Sequence, residues 1–348
     1  MTAVHAGYDG LLLDLDGTVY RGEVAIPAAP GTVGALRGSG VGMAFVTNNA
    51  SRSPGQVAEH LVSVGVEVAA DEVVTSGQAA AALLADRLAP GSAILVVGTD
   101  ALAAEVEAVG LRPVRKADAD PSGVIQGHSP ETAWPLLAEA CLAIRAGAVW
   151  VACNIDTTLP TERGELPGNG ALVAALRAAT GREPLVAGKP ARALVDAAVE
   201  RLGARHPLLV GDRLETDIAA AHGVMESLLV LSGVTDAPAL LAAPAGQRPT
   251  FVGADVAALG EEPEALRIGE RPGWRATVTG DELTLHSDGA GHHEALDALR
   301  ALCHQWWAGP GGVVTVTATD AAAAAALRAL GLAGSPVSPS RAQERAVG

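Results

Sequence analysis

Short apolar runs rich in Leu and Val recur from residue 10 to about residue 233, and between them lie Ala-rich stretches whose apolar positions fall at helical spacing. The runs at 11–15, 41–46, 93–97, 124–126, 149–152, 207–210 and 228–231 are predicted strands. Most are continuously apolar, as strands covered on both faces must be, and their alternation with helices predicts βαβ units around a parallel sheet. Leu194, Val195, Ala198, Val199 and Leu202 share one helical face, with Pro190 placed to open that helix and Gly203 to stop it. Residues 237–249, rich in Ala and Pro, read as a loop or linker. Beyond about residue 263 the pattern changes. A polar alternating run over 275–286 turns at Gly280 and Asp281, and a helix over 293–307, a strand over 313–317 and a helix over 321–330 follow, giving a small ββαβα unit. The Pro-, Ser- and Arg-rich end from residue 335 is predicted to fray.

Length and composition narrow the class. At 348 residues the chain is long for one ordinary domain, and 49% hydrophobic against 18% charged residues predicts a folded protein. A formal net charge of -15 argues against nucleic acid or an anionic membrane as partner, since both need a concentrated basic surface. The same field repels a phosphorylated ligand, so any phosphate site needs its own cations. Cys141, Cys153 and Cys303 are odd in number and lack CxxC spacing, which suits a reducing compartment and buried thiols rather than disulfides or zinc. No leader pattern opens the chain and no apolar run reaches the ~18 to 20 residues of a membrane helix, so a soluble, cytoplasmic protein is expected.

Four segments carry chemistry. In LLLDLDGTVY an apolar strand delivers Asp14 and Asp16 at its C-terminal end, where open α/β sheets bind ligands, and Gly17 permits a tight turn. In VTNNAS a second strand mouth presents Thr47, Asn48 and Asn49, donors for phosphoryl oxygens that are also ordinary turn residues. Lys189, in AGKP, is one of only two lysines with Lys116; arginine supplies the other positive charges, which points to a site that needs a compact ammonium. In VGDRLETDI a strand ends at Gly211 and supplies Asp212, with Asp217 one helical turn further on. Acidic residues there often just complement a helix dipole, but carboxylates, hydroxyl, amides and one lysine together are what in-line phosphoryl transfer at a metal requires. Other signals fall away. His292 and His293 precede Glu294, but Asp297 stands where an HExxH zinc helix needs its second histidine, and Trp306 and Trp307 are expected to fill the small unit's core. No P-loop, dinucleotide fingerprint or GxSxG elbow follows a strand.

DLDGT, VTNN, GKP and GDRLETD, in that order, resemble the four motifs of the haloacid dehalogenase superfamily of phosphatases. The long interval between VTNN and GKP leaves room for an inserted cap, and ACNIDTTLP with GELPGNGAL resembles the cap of the branch that holds nitrophenylphosphatases and glycerol-phosphate phosphatases. The resemblance covers roughly residues 8 to 255 and implies an α/β fold: a Rossmann-like core over 1–80 and 185–255, an α/β cap over 81–184 that closes on substrate, a small α+β C-terminal domain over 263–334, and a tail over 335–348. It implies that Asp14 is the nucleophile and Asp16 the general acid and then base, that Thr47 with neighbouring amides and Lys189 holds the phosphoryl group, and that Asp14, the Asp16 carbonyl and Asp212, with Asp217 behind them, bind Mg2+. In the cap, His128 in the turn 127–129 and the loop of Asn154, Asp156 and Pro160 are candidate substrate contacts, with local turn bonds as the alternative. The expected substrate is a small phosphorylated metabolite, glycerol 3-phosphate first, with sugar phosphates, pyridoxal phosphate and nucleoside monophosphates as alternatives, and a homo-oligomer formed through the cap stays open. A different class, a non-catalytic phosphometabolite-binding protein acting through the C-terminal unit, is weakened by the intact DLDGT and GDRLETD segments. That unit loosely resembles part of an acetyltransferase but has no glycine-rich pyrophosphate loop, so no acetyl-CoA turnover is expected.

Overall fold

The computed structural model describes residues 2–161, 163–289, 293–309, 313–334 and 336–337. The chain divides into two compact units, one of Met1–Gly42 with Arg205–Gly348 and one of Met43–Ala204.

In the first unit the strands Phe251–Gly253, Glu226–Val230, Pro207–Gly211 and Gly10–Asp14 pair in that order, all parallel. Their registers, Gly10 against Pro207, Leu208 against Glu226 and Leu228 against Phe251, bring the C-terminal strand ends to one side. Leu11, Leu12, Leu13, Leu208, Leu209 and Val210 are wholly buried, which explains why these strands read as unbroken apolar runs. The Phe251–Gly253 strand was invisible in the sequence because its apolar stretch is short and follows an apparent linker. That linker is a correction: residues 237–249 hold the helix Ala237–Leu241, whose N-terminus is capped by the Asp236 side chain accepting from the Ala239 N–H at 2.8 Å, and the turn Ala245–Gln247. Pro238, read as a loop signal, lies in the first helical turn, where its missing N–H does no harm, and Leu240 and Leu241 are buried.

The C-terminal part of this unit is a sheet ordered Trp274–Thr279, Glu282–Ser287, Val314–Ala318 and Pro336–Val337, with helices Ala295–Trp307 and Ala321–Ala329. The expected ββαβα order is present and one strand longer. Pro336–Val337 pairs antiparallel with Val314–Ala318 and Val337 is buried, so regular structure runs past the point where fraying was expected. The rest of the expected tail, Ser335 and residues 338–348, lies outside the described residues, as does His292. Buried Leu214, Ile218, Leu229, Leu240, Leu241 and Val252 share one core with Leu299, Leu302, Cys303 and Trp306 of the first long C-terminal helix. Trp307 donates its indole N–H to the Leu241 carbonyl at 3.1 Å, so both tryptophans serve packing.

In the second unit Gly42–Thr47 pairs parallel with Val73–Thr75. A separate parallel sheet orders Leu185–Val186, Val149–Ala152, Gly123–Gln126, Ala93–Val97 and Arg112–Val114, and an antiparallel hairpin joins Thr158–Thr161 to Gly164–Pro167. Capping boxes, Ser53 with Gln56 and Thr75 with Gln78, start the helices Pro54–Ser63 and Ser76–Ala85. The helix predicted to open at Pro190 opens at Arg192, after a turn, and ends as predicted at Gly203 in a left-handed C-cap. Among the described residues no helix is long and apolar enough to cross a membrane.

Candidate active site

In the first unit three carboxylates converge at the C-terminal ends of neighbouring strands. Asp14 closes the Gly10–Asp14 strand, Asp212 directly follows Pro207–Gly211, and Asp217 lies in the turn after it. One oxygen from each lies within 4.8 Å of the others. Asp212 and Asp217 are buried and Asp14 is partly buried. The expected helical turn at Asp217 is wider than an α-turn: Leu214–Ile218 is π-helical, a form that recurs at functional sites. The Arg213 carbonyl accepts from the N–H groups of Asp217 at 3.0 Å and Ile218 at 3.2 Å, while the Arg213 N–H donates to Asp217 Oδ2 at 3.1 Å and turns the carboxylate back toward the strand end. The sequence did not distinguish the two turns because both leave Leu214 and Ile218 in the core.

Glycines let these carboxylates lie flush against the backbone. A Cβ on Gly17, whose φ is +88°, would stand 2.3 Å from Asp212 Oδ2, one on Gly211 would stand 2.3 Å from Asp217 Cγ, and one on Gly233 would stand 1.9 Å from Asp212 Oδ2. The Val234 N–H donates to Asp212 Oδ2 at 2.6 Å. Three carboxylates this close repel one another unless a cation stands among them, and an all-oxygen, hard donor set suits Mg2+. The donor set therefore fits the ion that the sequence implies. The Asp16 side chain is exposed and is not part of the cluster. Gly233, in LSGVT, was missed by sequence reasoning because a glycine after a strand reads as an ordinary turn. Gly233→Ala is expected to displace Asp212 and weaken Mg2+ binding by roughly 10 to 100-fold, the range for groups that orient metal ligands. Mg2+ titration of the variant's melting temperature measures this.

In the second unit the structure gathers Asn48, Asn154, Asp156 and Lys189. Lys189 is buried, and its Nζ donates to the Val46 carbonyl at 3.3 Å. Asn48 holds the Lys189 backbone at both ends: its Oδ1 accepts from the Lys189 N–H at 2.8 Å and its Nδ2 donates to the Lys189 carbonyl at 2.9 Å. The same Nδ2 stands 3.3 Å from both carboxylate oxygens of Asp156. The Asn48 carbonyl in turn accepts from Ser76 Oγ at 2.6 Å and Asn154 Nδ2 at 2.7 Å. Asn48 and Asn154, read as substrate contacts, thus have their amides engaged in positioning Lys189 and one another. A Cβ on Gly188 would meet Asn48 Oδ1 at 2.6 Å, which gives the glycine of AGKP its reason. Ser76 was missed because a serine at a helix start reads as a cap, and here Thr75 is the cap.

The Thr47 hydroxyl accepts from the Asn49 N–H at 3.1 Å, and Asn49 Oδ1 accepts from the Ser51 N–H at 2.7 Å. Ser51 Oγ reaches the His128 carbonyl at 2.7 Å, tying the 127–129 turn to the segment after VTNN, and partial burial lowers the pKa of the His128 imidazole. Gly168 caps the helix Asn169–Thr180, and a Cβ on Gly170 would stand 2.1 Å from the Ile155 carbonyl, so PGNG is a close-packed helix start. Of Pro160, only its place in the Thr158–Thr161 strand is described. Cys153 and Cys303 are buried thiols whose pKa values burial raises, and Cys141 is partly buried; all three are free.

A parallel sheet with a magnesium-type carboxylate site at its strand mouths, and a buried lysine held beside a Thr-Asn-Asn strand end in the second unit, define a metal-dependent phosphoryl-transfer enzyme. Residues 11–112 match the haloacid dehalogenase-like hydrolase family, residues 186–259 match a HAD-hydrolase-like family, and residues 271–332 match a GCN5-related N-acetyltransferase-like domain. The chain is 50% identical over 290 residues, 83% of its length and 81% of the relative's, to D-glycerol 3-phosphate phosphatase of Mycobacterium tuberculosis. It is 39% identical over 231 residues, 66% of its length and 89% of the relative's, to a 5'-nucleotidase of Bacillus subtilis. The crystal structure of the M. tuberculosis glycerol phosphate phosphatase in complex with magnesium superposes with a TM-score of 0.91 at 47% identity, covering 95% of this chain and 99% of that one. The 4-nitrophenylphosphatase of Thermotoga maritima gives 0.69 at 31% identity, covering 75% and 100%. The chain belongs to the haloacid dehalogenase-like hydrolases and is a magnesium-dependent phosphatase of that family.

Proposed function

We propose that this phosphatase hydrolyses glycerol 3-phosphate to glycerol and phosphate through an aspartyl-phosphate on Asp14. The observation that carries the chemistry is the cluster of Asp14, Asp212 and Asp217, and the 50% identity to a D-glycerol 3-phosphate phosphatase supports the substrate. An Asp14 carboxylate oxygen attacks phosphorus, the ester P–O bond breaks, and Asp16 gives its proton to the departing alkoxide. Asp16 then takes a proton from the water that attacks the phosphorus of the acyl phosphate, which frees inorganic phosphate and restores the Asp14 carboxylate. Thr47, the amides of Asn48 and Asn49, and Lys189 bind the transferring group, and Asn48 also fixes the Lys189 backbone. Asp14, the Asp16 carbonyl and Asp212, with Asp217 behind them, would hold Mg2+, which would supply positive charge at the phosphate within a chain of net charge -15. Residues 81–184 are the proposed specificity cap, with His128 as a proposed contact for the alcohol portion of the substrate.

Relatives named 5'-nucleotidase at 39% identity and acid sugar phosphatase at 35% set the competing substrates. Phosphate release from glycerol 3-phosphate, a nucleoside monophosphate, a sugar phosphate and pyridoxal phosphate, each with Mg2+ and with EDTA, decides among them. Glycerol 3-phosphate is expected to give the highest kcat/KM, and EDTA to abolish release from all four. Faster turnover of the nucleotide or sugar ester would overturn the substrate, and release undiminished in EDTA would overturn the metal.

A further inference from the structure

Resting on that reading of the metal site, we infer that Ser232, backed by Arg21, is a positioning residue that ties the two halves of the site into one frame. One half is the DLDGT turn, where the Gly17 N–H donates to the Tyr20 carbonyl at 2.7 Å and the Gly17 carbonyl accepts from Ser232 Oγ at 2.7 Å. The other half is Asp212, whose Oδ2 accepts from the Val234 N–H at 2.6 Å and whose carbonyl accepts from the Thr235 N–H at 3.2 Å. Ser232 to Thr235 is therefore a strap: its first residue holds the turn that follows Asp16, and its third and fourth hold Asp212. Gly233, between them, is the residue whose added Cβ would overlap Asp212. Arg21, on the hairpin of Tyr20–Arg21 and Val24–Ala25, donates from its guanidinium to the Ser232 carbonyl and anchors the strap from outside. These contacts are made to backbone groups and to the Asp212 carboxylate, so the strap acts on the ion through the geometry of its ligands, a dependence that changes metal affinity more than the chemistry itself.

The test is a MgCl2 titration of the full chain, read as melting temperature and as phosphate release, for wild type, Ser232→Ala, Ser232→Thr and Arg21→Gln. Ser232→Ala is expected to raise the half-saturating Mg2+ concentration about tenfold in both assays, with the rate at saturating Mg2+ falling much less, and Ser232→Thr to restore it. Arg21→Gln, at an exposed position, is expected to shift it in the same direction and decides the matter should Ser232→Ala not fold. A wild type that responds to Mg2+ beside variants with the same half-saturation, even variants of lower melting temperature, would overturn the inference and leave the proposed function standing. A wild type that responds to Mg2+ in neither assay would overturn both.

Discussion

Asp14→Asn is expected to lower phosphate release by roughly four orders of magnitude or more, the scale of loss when a covalent nucleophile is removed. The substitution keeps the shape of the side chain and takes away its charge. An amide is a poor nucleophile, and it also removes one of three carboxylates whose oxygens lie within 4.8 Å of one another. These two effects separate by experiment. The loss of nucleophile persists at any Mg2+ concentration, whereas a loss of metal affinity alone is recovered by adding more. The melting temperature without Mg2+ is expected to stay level or rise, because the repulsion within the cluster falls. The increase that Mg2+ produces is expected to shrink. Activity within tenfold of wild type at saturating Mg2+ would remove Asp14 from the role of nucleophile and leave it as a ligand only.

The sequence exposed the carboxylates of this site more readily than the groups that hold them. Asp14 was legible because three buried leucines deliver it to a strand mouth, and Asp212 because it follows a run of the same kind. Lys189 stood out by scarcity, and the structure buries it. The framework was illegible for a consistent physical reason: it consists of backbone groups and close approaches. Gly233 matters for the atom it lacks, Ser232 for a bond to a carbonyl far away in the chain, and Asn48 because its amide matches both backbone groups of Lys189. Local pattern reports burial period and turn chemistry, and none of these long-range pairings alters either. The misread linker has the same origin, since Ala and Pro at a helix start look like Ala and Pro in a loop until Leu240 and Leu241 are seen buried.

Ending the chain at Gly269 is expected to leave the hydrolase portion insoluble, even though every motif residue remains. The helix Ala295–Trp307 contributes Leu299, Leu302, Cys303 and Trp306 to a core that also contains Leu240, Leu241 and Val252, so truncation bares an apolar face continuous with Leu214 and Ile218 of the turn that carries Asp217. Polar ties across the same seam are lost with it. Buried Arg300 donates from Nε at 3.2 Å and Nη2 at 2.6 Å to the Val252 carbonyl. Arg248 sits over the Trp307 ring at 5.1 Å from its centroid and donates to the Trp307 carbonyl at 3.2 Å. In the intact chain, Leu299→Ala probes the seam without removing it, and a loss of about 2 to 5 kcal/mol in unfolding free energy is expected, as for a fully buried leucine. The measurements are the soluble fraction of the truncated chain and denaturant unfolding of the point variant. A truncated chain that stays soluble and releases phosphate at the wild-type rate would show that the C-terminal domain covers this face without being part of one core with it.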